Sequence, residues 1–352
     1  MALIGFLLAL LLSFYLLARI VDGYFVEALD KIANKLKMSS DAAGATLMAV
    51  GSSAPELFVA VFAVFRPGDH TAIGVGNIVG SALFNILAIT GAAAIVRKSV
   101  IAWQPVVRDL FFYAVAILML LWVFHDGEVD LLDAIIFISI YIVYVVVVVF
   151  WRKILKYKDP NEEIIHVEEK KEEKKTGIIG KITQPIDFVV NLLFPPAKHY
   201  YAIFTISIVF IAGLSWVLVE SAVEIAAILN IPEAIIAVTI LAAGTSVPDL
   251  MSSMIVSKQG RGGMAISNAV GSNIFDILIG LGLPFLLMIL LSGNSISLEV
   301  KGIENSVIFL LASVVALFGL FIINKWEAGK KMGGFLILLY LGYVVWAILN
   351  VG

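Results

Sequence analysis

Three carboxylates, Glu56, Asp249 and Asp276, stand in stretches of sequence that are otherwise apolar and long enough to cross a membrane. An acid at the centre of a membrane helix costs roughly 2.5–3.5 kcal/mol on the insertion scale and marks a functional site by default. The segments that carry the polar motifs contain no Lys, Arg or His, and they are 41–65, 72–96, 234–257 and 264–291. Without a basic partner in their own segments, these carboxylates must hold protons or bound cations.

Hydroxyl and amide side chains recur at helical spacing around the carboxylates. Two hydroxyls stand three and four residues before each of the first two acids, which puts their oxygens on one helix face; they are Ser52 and Ser53 before Glu56, and Thr245 and Ser246 before Asp249. Two stripes with i, i+4, i+8 spacing follow, namely Asn77–Ser81–Asn85 and Asn268–Ser272–Asp276. Any one of these side chains could simply join helices, but the sets favour a cavity lining. A site of oxygen ligands alone favours Ca²⁺, Na⁺ or K⁺ over zinc or copper.

A proline interrupts the helix beside each of two carboxylates. Pro55 and Pro248 lack an N–H, so the carbonyls of Gly51 and Gly244 leave the helical ladder. Broken helices are tolerated at this depth only where the freed backbone lines a cavity or is buried in protein, and freed carbonyls suit a cation. A single proline kink could be structural. Two kinks at matched positions, each followed by an acid, predict a site.

The matched motifs belong to an internal repeat. The segment 51–57 recurs 193 residues later and the segment 76–87 recurs 191 residues later. Such self-similarity indicates two copies of one unit.

The rest of the chain must place these motifs in a membrane. It has 352 residues, 61% of them hydrophobic and 14% charged, whereas a soluble domain is about a quarter charged. The absence of cysteine excludes disulfides, thiolate metal sites and cysteine catalysis. Ten segments of spanning length are expected, at 2–21, 41–65, 72–96, 108–124, 131–151, 200–228, 233–257, 264–291, 304–323 and 333–350. The first lacks a basic n-region and a clear cleavage site, so we interpret it as a retained helix.

Lys and Arg in the connections predict the orientation. The odd-numbered connections carry two to ten of these residues and the even-numbered ones none or one, so both termini face outside and the loop 152–199 is cytoplasmic. Five spans per repeat is an odd number, so the second copy enters the membrane inverted. The sequence therefore predicts an all-α polytopic membrane protein with ten transmembrane helices, in two inverted-topology repeats at 1–151 and 200–352. Inverted repeats are typical of transporters.

The motifs 51–57, 80–87, 244–250 and 271–278 resemble the two α-repeats of the cation/Ca²⁺ exchanger superfamily, here at 44–91 and 237–284. Specifically, the chain resembles sodium/calcium exchangers, and its second repeat is most similar to the potassium-dependent branch. The resemblance implies that helices two, three, seven and eight form the ion sites. The loop 152–199 is too short for the regulatory Ca²⁺-binding domains of some animal relatives, which favours a compact exchanger of prokaryotic type.

The resemblance also implies a set of ligands. Glu56 and Asp249 would be the carboxylates shared by Ca²⁺ and Na⁺, and Asn85 and Asp276 would complete the middle of the site. The hydroxyl and carbonyl ligands would come from Ser52, Ser53, Ser81, Thr245, Ser246, Ser272, Ala49 and Ala242. An Asp at position 276 is associated with K⁺ use in the potassium-dependent branch, but potassium-independent relatives can also carry an acid there, so K⁺ dependence stays open.

We therefore expect an antiporter of the plasma membrane that exchanges Na⁺ for Ca²⁺ by alternating access, with helices one and six as the moving element. No enzymatic activity, cofactor, nucleic acid or protein partner is implied. H⁺/Ca²⁺ exchange on the same fold is the main alternative. An intramembrane aspartyl protease would need Tyr-Asp and Gly-x-Gly-Asp motifs, which do not occur, and a channel would show steep uncoupled conductance.

Overall fold

The computed structural model describes residues 2–35, 40–68, 70–155, 157, 184, 187–188, 190–298 and 303–350. Eight helices are long and apolar enough to cross a membrane, and two bent helix pairs bring the number to ten. This confirms the expected ten-helix membrane fold. Most of the loop 152–199, including the charged run 168–175, lies outside the described residues, as do Lys37 and Lys301, which entered the orientation count.

The ten spans are numbered α1 to α10 along the chain. They are α1 (Ala2–Phe25), α2a (Gly44–Ser52) with α2b (Ala54–Phe65), α3 (Thr71–Val96), α4 (Trp103–Asp126), α5 (Leu131–Ile154), α6 (Tyr200–Leu229), α7a (Glu233–Thr245) with α7b (Val247–Lys258), α8 (Gly262–Ser292), α9 (Glu304–Ile323) and α10 (Lys330–Asn350). A helix at Val26–Lys35 continues from α1, and a turn at Ser40–Ala43 leads into α2a. Helix α4 begins at Trp103, earlier than the predicted 108. Pro105 lies in its first turn, where proline is tolerated, so this proline does not prevent the earlier start.

Two short antiparallel ladders join the connections between spans. Strand β1 (Ser99–Val100) pairs with β4 (Glu327–Ala328), and β2 (Glu128–Val129) pairs with β3 (Ile296–Ser297). The first ladder joins the third and ninth connections, and the second joins the fourth and eighth. Connections of the same parity therefore lie on the same face of the molecule, as the inverted topology requires. Which face is cytoplasmic stays a prediction.

Two ion pairs lie on the face of the molecule that carries the even-numbered connections. Arg66, in the second connection, lies 2.5 Å from the carboxylate of Glu220 in α6. His70, in the same connection, lies 3.0 Å from Glu233 at the start of α7a. Both contacts join the first half of the chain to the second half.

The two halves also interlock inside the membrane, through glycines at repeat-related positions. A Cβ on Gly80 would lie 2.5 Å from the carbonyl oxygen of Val238, and a Cβ on Gly271 would lie 2.7 Å from that of Ala45. Gly80 and Gly271 are equivalent in the repeat, and so are Ala45 and Val238. Helix α3 therefore crosses α7a as α8 crosses α2a, with two-fold pseudosymmetry.

Two large hydrophobic clusters and one small one make up the core of the described residues. The largest is built mainly from α3, α4, α5, α8, α9 and α10. The second large cluster is built mainly from α1 and α6, with faces of α2b and α7a. The polar motifs lie on the four broken or crossed spans, α2, α3, α7 and α8, which contribute to these clusters.

Candidate ion-binding site

Helices α2 and α7 bend at the predicted positions. The bend is 51° between α2a and α2b and 40° between α7a and α7b. The residues at the breaks are Ser53 and Ser246, both with ψ near zero (5° and 4°), and a proline follows two residues later in each. The sequence-based prediction of paired helix breaks is therefore confirmed.

Each of the four site helices also contains a π-helical stretch, which the sequence analysis did not predict. They are Gly44–Met48, Phe84–Ile89, Ala237–Leu241 and Asp276–Leu281. Thr46 and the equivalent Thr239 donate their hydroxyls to carbonyls four residues earlier, at 2.6 and 2.5 Å. Such bonds bend helices, and π-helical turns are frequent at functional sites. The matched threonines were the available sequence signal for the π-helical stretches in α2a and α7a.

Each of the first two carboxylates is held by a side chain from the opposite repeat. Glu56 is fully buried and its Oε1 accepts a hydrogen bond from Ser246 Oγ at 3.1 Å. Asp249 is also fully buried, and its Oδ2 accepts from Asn85 Nδ2 at 3.2 Å. Ser272 Oγ donates to the other oxygen of Asp249 at 3.0 Å. The two acids therefore belong to one site shared by both halves.

The hydroxyl groups converge on the carbonyls at the helix breaks. Ser81 Oγ donates to the carbonyl of Ala242 at 3.2 Å, and Thr245 Oγ1 lies 3.3 Å from the same oxygen. In the other half, Ser52 Oγ donates to the carbonyl of Met48 at 2.9 Å and lies 3.4 Å from that of Ala49. All twelve predicted ligand residues are fully buried and lie on these four spans.

The third carboxylate breaks the symmetry of the site. Asn85 donates to Asp249, but the residue equivalent to Asn85 is Asp276, so this arrangement puts a second acid near Glu56. Glu56 and Asp249 both lie close enough to interact with the charge of Asp276, and Ser53 lies beside it. Neither Asp276 oxygen has a hydrogen-bond partner among the described residues.

Within the residues that the structure describes, no basic side chain pairs with these acids. No ion pair within the described part of the chain joins Glu56, Asp249 or Asp276 to Lys, Arg or His. In that same part, no three Asp, Glu or His side chains are placed to hold one metal ion together. An ion bound here must therefore take most of its ligands from hydroxyls, amides and carbonyls, which suits hard cations.

One further polar contact was missed from the sequence. Asn273 Nδ2 donates to the carbonyl of Ala82 and to the hydroxyl of Tyr113, each at 2.9 Å. Asn273 Oδ1 is buried and accepts no hydrogen bond from any residue that the structure describes. The repeat comparison passed over this amide because its equivalent in the first half is the apolar Ala82.

Comparison with known proteins gives a family match over most of the chain. The model of the family described as "Sodium/calcium exchanger protein" matches residues 6–150 and 199–349.

Similar curated proteins include sodium/potassium/calcium exchanger 4 of Mus musculus, which is 27% identical over 97% of this chain and 80% of its own length. Sodium/potassium/calcium exchanger 3 of Homo sapiens is 28% identical over 96% of this chain and 79% of its own length. Among solved structures, the sodium-calcium exchanger NCX_Mj soaked with Na⁺ and Sr²⁺ superposes with a TM-score of 0.61 at 24% identity, over 99% of both chains. This likeness supports the fold.

Proposed function

The chain belongs to the sodium/calcium exchanger family, and from that premise we propose that it is an antiporter that exchanges Na⁺ for Ca²⁺ across a membrane. One observation supports this most directly. Glu56 and Asp249 come from opposite inverted repeats, and each accepts a hydrogen bond from the other repeat. Ion binding at such a site draws on both halves at once, which suits alternating access.

Competition for the two carboxylates couples the fluxes. Together Glu56 and Asp249 neutralise one Ca²⁺, and the hydroxyls and carbonyls around them supply further oxygens toward the six to eight that Ca²⁺ takes. Na⁺ uses the same oxygens, so the binding of one ion displaces the other. The coupling needs no ATP.

We assign the remaining predicted ligands to the same site, namely Ser52, Ser53, Ser81, Asn85, Thr245, Ser246, Ser272, Ala49 and Ala242. Their full burial and the contacts across the repeats support this assignment. The units 1–151 and 200–352 act as the two halves of the transporter.

K⁺ co-transport is a further part of the proposal, and Asp276 supports it. Both of its oxygens lack hydrogen-bond partners among the described residues, and it adds a negative charge beyond the two that balance Ca²⁺. The names of the mammalian relatives include potassium. Coupling to H⁺ has no such support, since the names of these relatives include sodium and potassium but no proton.

Helices α1 and α6 are the proposed moving element. They pack along each other, and α6 also packs on α2b, where Ser215 Oγ lies 3.4 Å from the carbonyl of Pro55. The Arg66–Glu220 pair joins α6 to the end of α2b on the face that we predict to be outside. We place the protein in the plasma membrane with the loop 152–199 in the cytoplasm.

The test is uptake of radiolabelled Ca²⁺ into proteoliposomes preloaded with Na⁺ and diluted into Na⁺-free medium, with and without K⁺. We expect uptake that needs the Na⁺ gradient and is abolished by Glu56→Gln. The control is Glu304→Gln, the same change at an exposed carboxylate at the start of α9. Exchange that persists in Glu56→Gln would contradict the assigned site. Uptake driven by a pH gradient without Na⁺ would contradict the function.

A further inference from the structure

The fully buried amide of Asn273 distinguishes the second repeat from the first. It lies on α8, one residue after the ligand Ser272, where the first repeat has Ala82. Its partners come from α3 and from α4, and α4 lies outside the motifs at 44–91 and 237–284.

The orientation of this amide is fixed by its two hydrogen bonds. The Nδ2 group has two hydrogens, and both are used, one by the carbonyl of Ala82 and one by the hydroxyl of Tyr113. Rotating the amide by 180° would place Oδ1 against the Ala82 carbonyl, so two acceptors would meet. Oδ1 is therefore directed away from both partners, buried and without a partner of its own.

Asp276 stands on the same side of α8 as Asn273. It follows Asn273 by three residues, so the two side chains share one face of α8. Adjacent turns thus contribute three buried oxygens that have no hydrogen-bond partner in the described part of the chain, namely Asn273 Oδ1 and the two carboxylate oxygens of Asp276. Carboxylate and carbonyl oxygens suit a hard cation, and the single negative charge of Asp276 balances a monovalent one.

We propose that Tyr113 is a positioning residue for this monovalent-cation site. The Ala82 carbonyl sets which end of the Asn273 amide faces α3, and the Tyr113 hydroxyl, as the second partner, fixes the tilt of the amide so that Oδ1 stays on the side of Asp276. The proposal rests on the antiport function above and extends the ion-binding machinery to α4.

Removing the hydroxyl should change the site chemically. In Tyr113→Phe, one N–H of Asn273 becomes a buried donor without an acceptor, which is costly. The Asp276 carboxylate is one turn away and is a strong acceptor. The amide keeps only its hydrogen bond to the Ala82 carbonyl, so it would tilt about that bond to bring its free N–H toward the carboxylate, and Oδ1 would move away from its position as a cation ligand. We expect the half-saturating concentration of the monovalent ion to rise about tenfold.

A purely structural role would give a different result. The Tyr113–Asn273 bond also fastens α4 to α8, and its loss would then lower stability or the maximal rate for every ion alike. The matched control is Tyr343→Phe. Tyr343 is 1% exposed, and its hydroxyl donates to Ser306 Oγ at 3.0 Å between α10 and α9. This variant removes one buried phenol hydroxyl without touching α8.

The experiment measures half-saturating K⁺, Na⁺ and Ca²⁺ for uptake in both variants. In parallel, the melting temperature of each purified protein is measured against K⁺, Na⁺ and Ca²⁺ singly. We expect Tyr113→Phe to weaken the response to one monovalent ion in both assays, while Ca²⁺ half-saturation and the maximal rate stay as in the unchanged protein. Tyr343→Phe should leave every half-saturating concentration unchanged.

Asn273→Ala provides a second route if Tyr113→Phe does not fold. Asn273→Ala should raise the half-saturating concentration of the same monovalent ion, and the double variant with Tyr113→Phe should raise it no further. Unaltered monovalent dependence in either variant, or an equal loss for Ca²⁺, would overturn the positioning role. The melting assay separates this from the antiport proposal. If a monovalent ion stabilises the unchanged protein but the protein does not exchange Na⁺ for Ca²⁺, the antiport proposal is wrong and the monovalent site stands. If no monovalent ion stabilises the unchanged protein, the positioning role of Tyr113 is wrong, whatever the outcome for antiport.

Discussion

Replacing Gly271 with alanine tests whether the helix crossings hold the ion site in register. A methyl group there would lie 2.7 Å from the carbonyl oxygen of Ala45 and 2.9 Å from its Cα. Both are backbone atoms of α2, so no side chain can rotate away. Ordinary contact begins at 3.4 Å, so α8 must retreat from α2a by roughly 0.7 Å, and overpacking of this kind costs about 1–3 kcal/mol.

The displacement also reaches the ligands. Ser272 follows directly and donates to Asp249 at 3.0 Å. A retreat of that size, where it is directed along the bond, would stretch it to about 3.7 Å, beyond hydrogen-bonding range. A hydrogen bond to a charged group is worth about 1.5–3 kcal/mol, so we expect the half-saturating Ca²⁺ concentration to rise by roughly tenfold or more.

The assay combines Ca²⁺ uptake in proteoliposomes with unfolding of the purified protein in mixed micelles. Gly319→Ala in α9 is the control, because a Cβ there has no atom within 4 Å; it should be neutral or slightly stabilising, since alanine favours a helix over glycine. Gly80→Ala, at the equivalent crossing, should behave like Gly271→Ala. Wild-type stability and Ca²⁺ dependence in Gly271→Ala would refute the reasoning.

Three further outcomes follow from the site and its surroundings. Asp276→Asn should remove the response of uptake to K⁺ while Na⁺-driven Ca²⁺ uptake continues, because Glu56 and Asp249 still balance Ca²⁺; retained K⁺ stimulation would exclude a K⁺ site there. Asp249→Asn should abolish Ca²⁺ uptake, since it removes one of the two carboxylates assigned to Ca²⁺ and the acceptor of the Asn85 and Ser272 hydrogen bonds, and measurable exchange at saturating Ca²⁺ would argue against it. Reversing either charge of the Arg66–Glu220 pair should slow exchange by a few-fold, and the double reversal should restore it, because the contact is partly buried; a double variant no faster than the singles would remove the pair from the mechanism.

The membrane fold was predictable because the chain carries strong signals of hydropathy, charge and self-similarity. Ten apolar stretches gave the spans, and the matched prolines gave the two breaks. The β ladders gave no signal, since strands of two residues have no recognisable period. The π-helical stretches were missed because propensity does not distinguish them from α-helix.

The repeat comparison found what the halves share and missed what makes them differ. It brought out Asn85 with Asp276 but not Asn273, whose equivalent is apolar. It also stopped before the fifth spans, where a Tyr-x-x-Tyr pattern occurs in both halves. The first tyrosines of these patterns, Tyr141 and Tyr340, pack against the repeat-related Phe275 and Phe84, at ring distances of 5.5 and 5.2 Å.

The reciprocal glycine crossings have a consequence for how the protein is made. During synthesis the first five spans enter the bilayer before α7 and α8 exist, so the surface of α2a around Ala45 has no partner until Gly271 arrives. Glu56 likewise lacks its hydrogen bond from Ser246 until α7 has been made. The first half alone therefore lacks the helix crossing at Ala45 and the hydrogen bond to Glu56, so the ion site is completed only after the eighth helix has been synthesised.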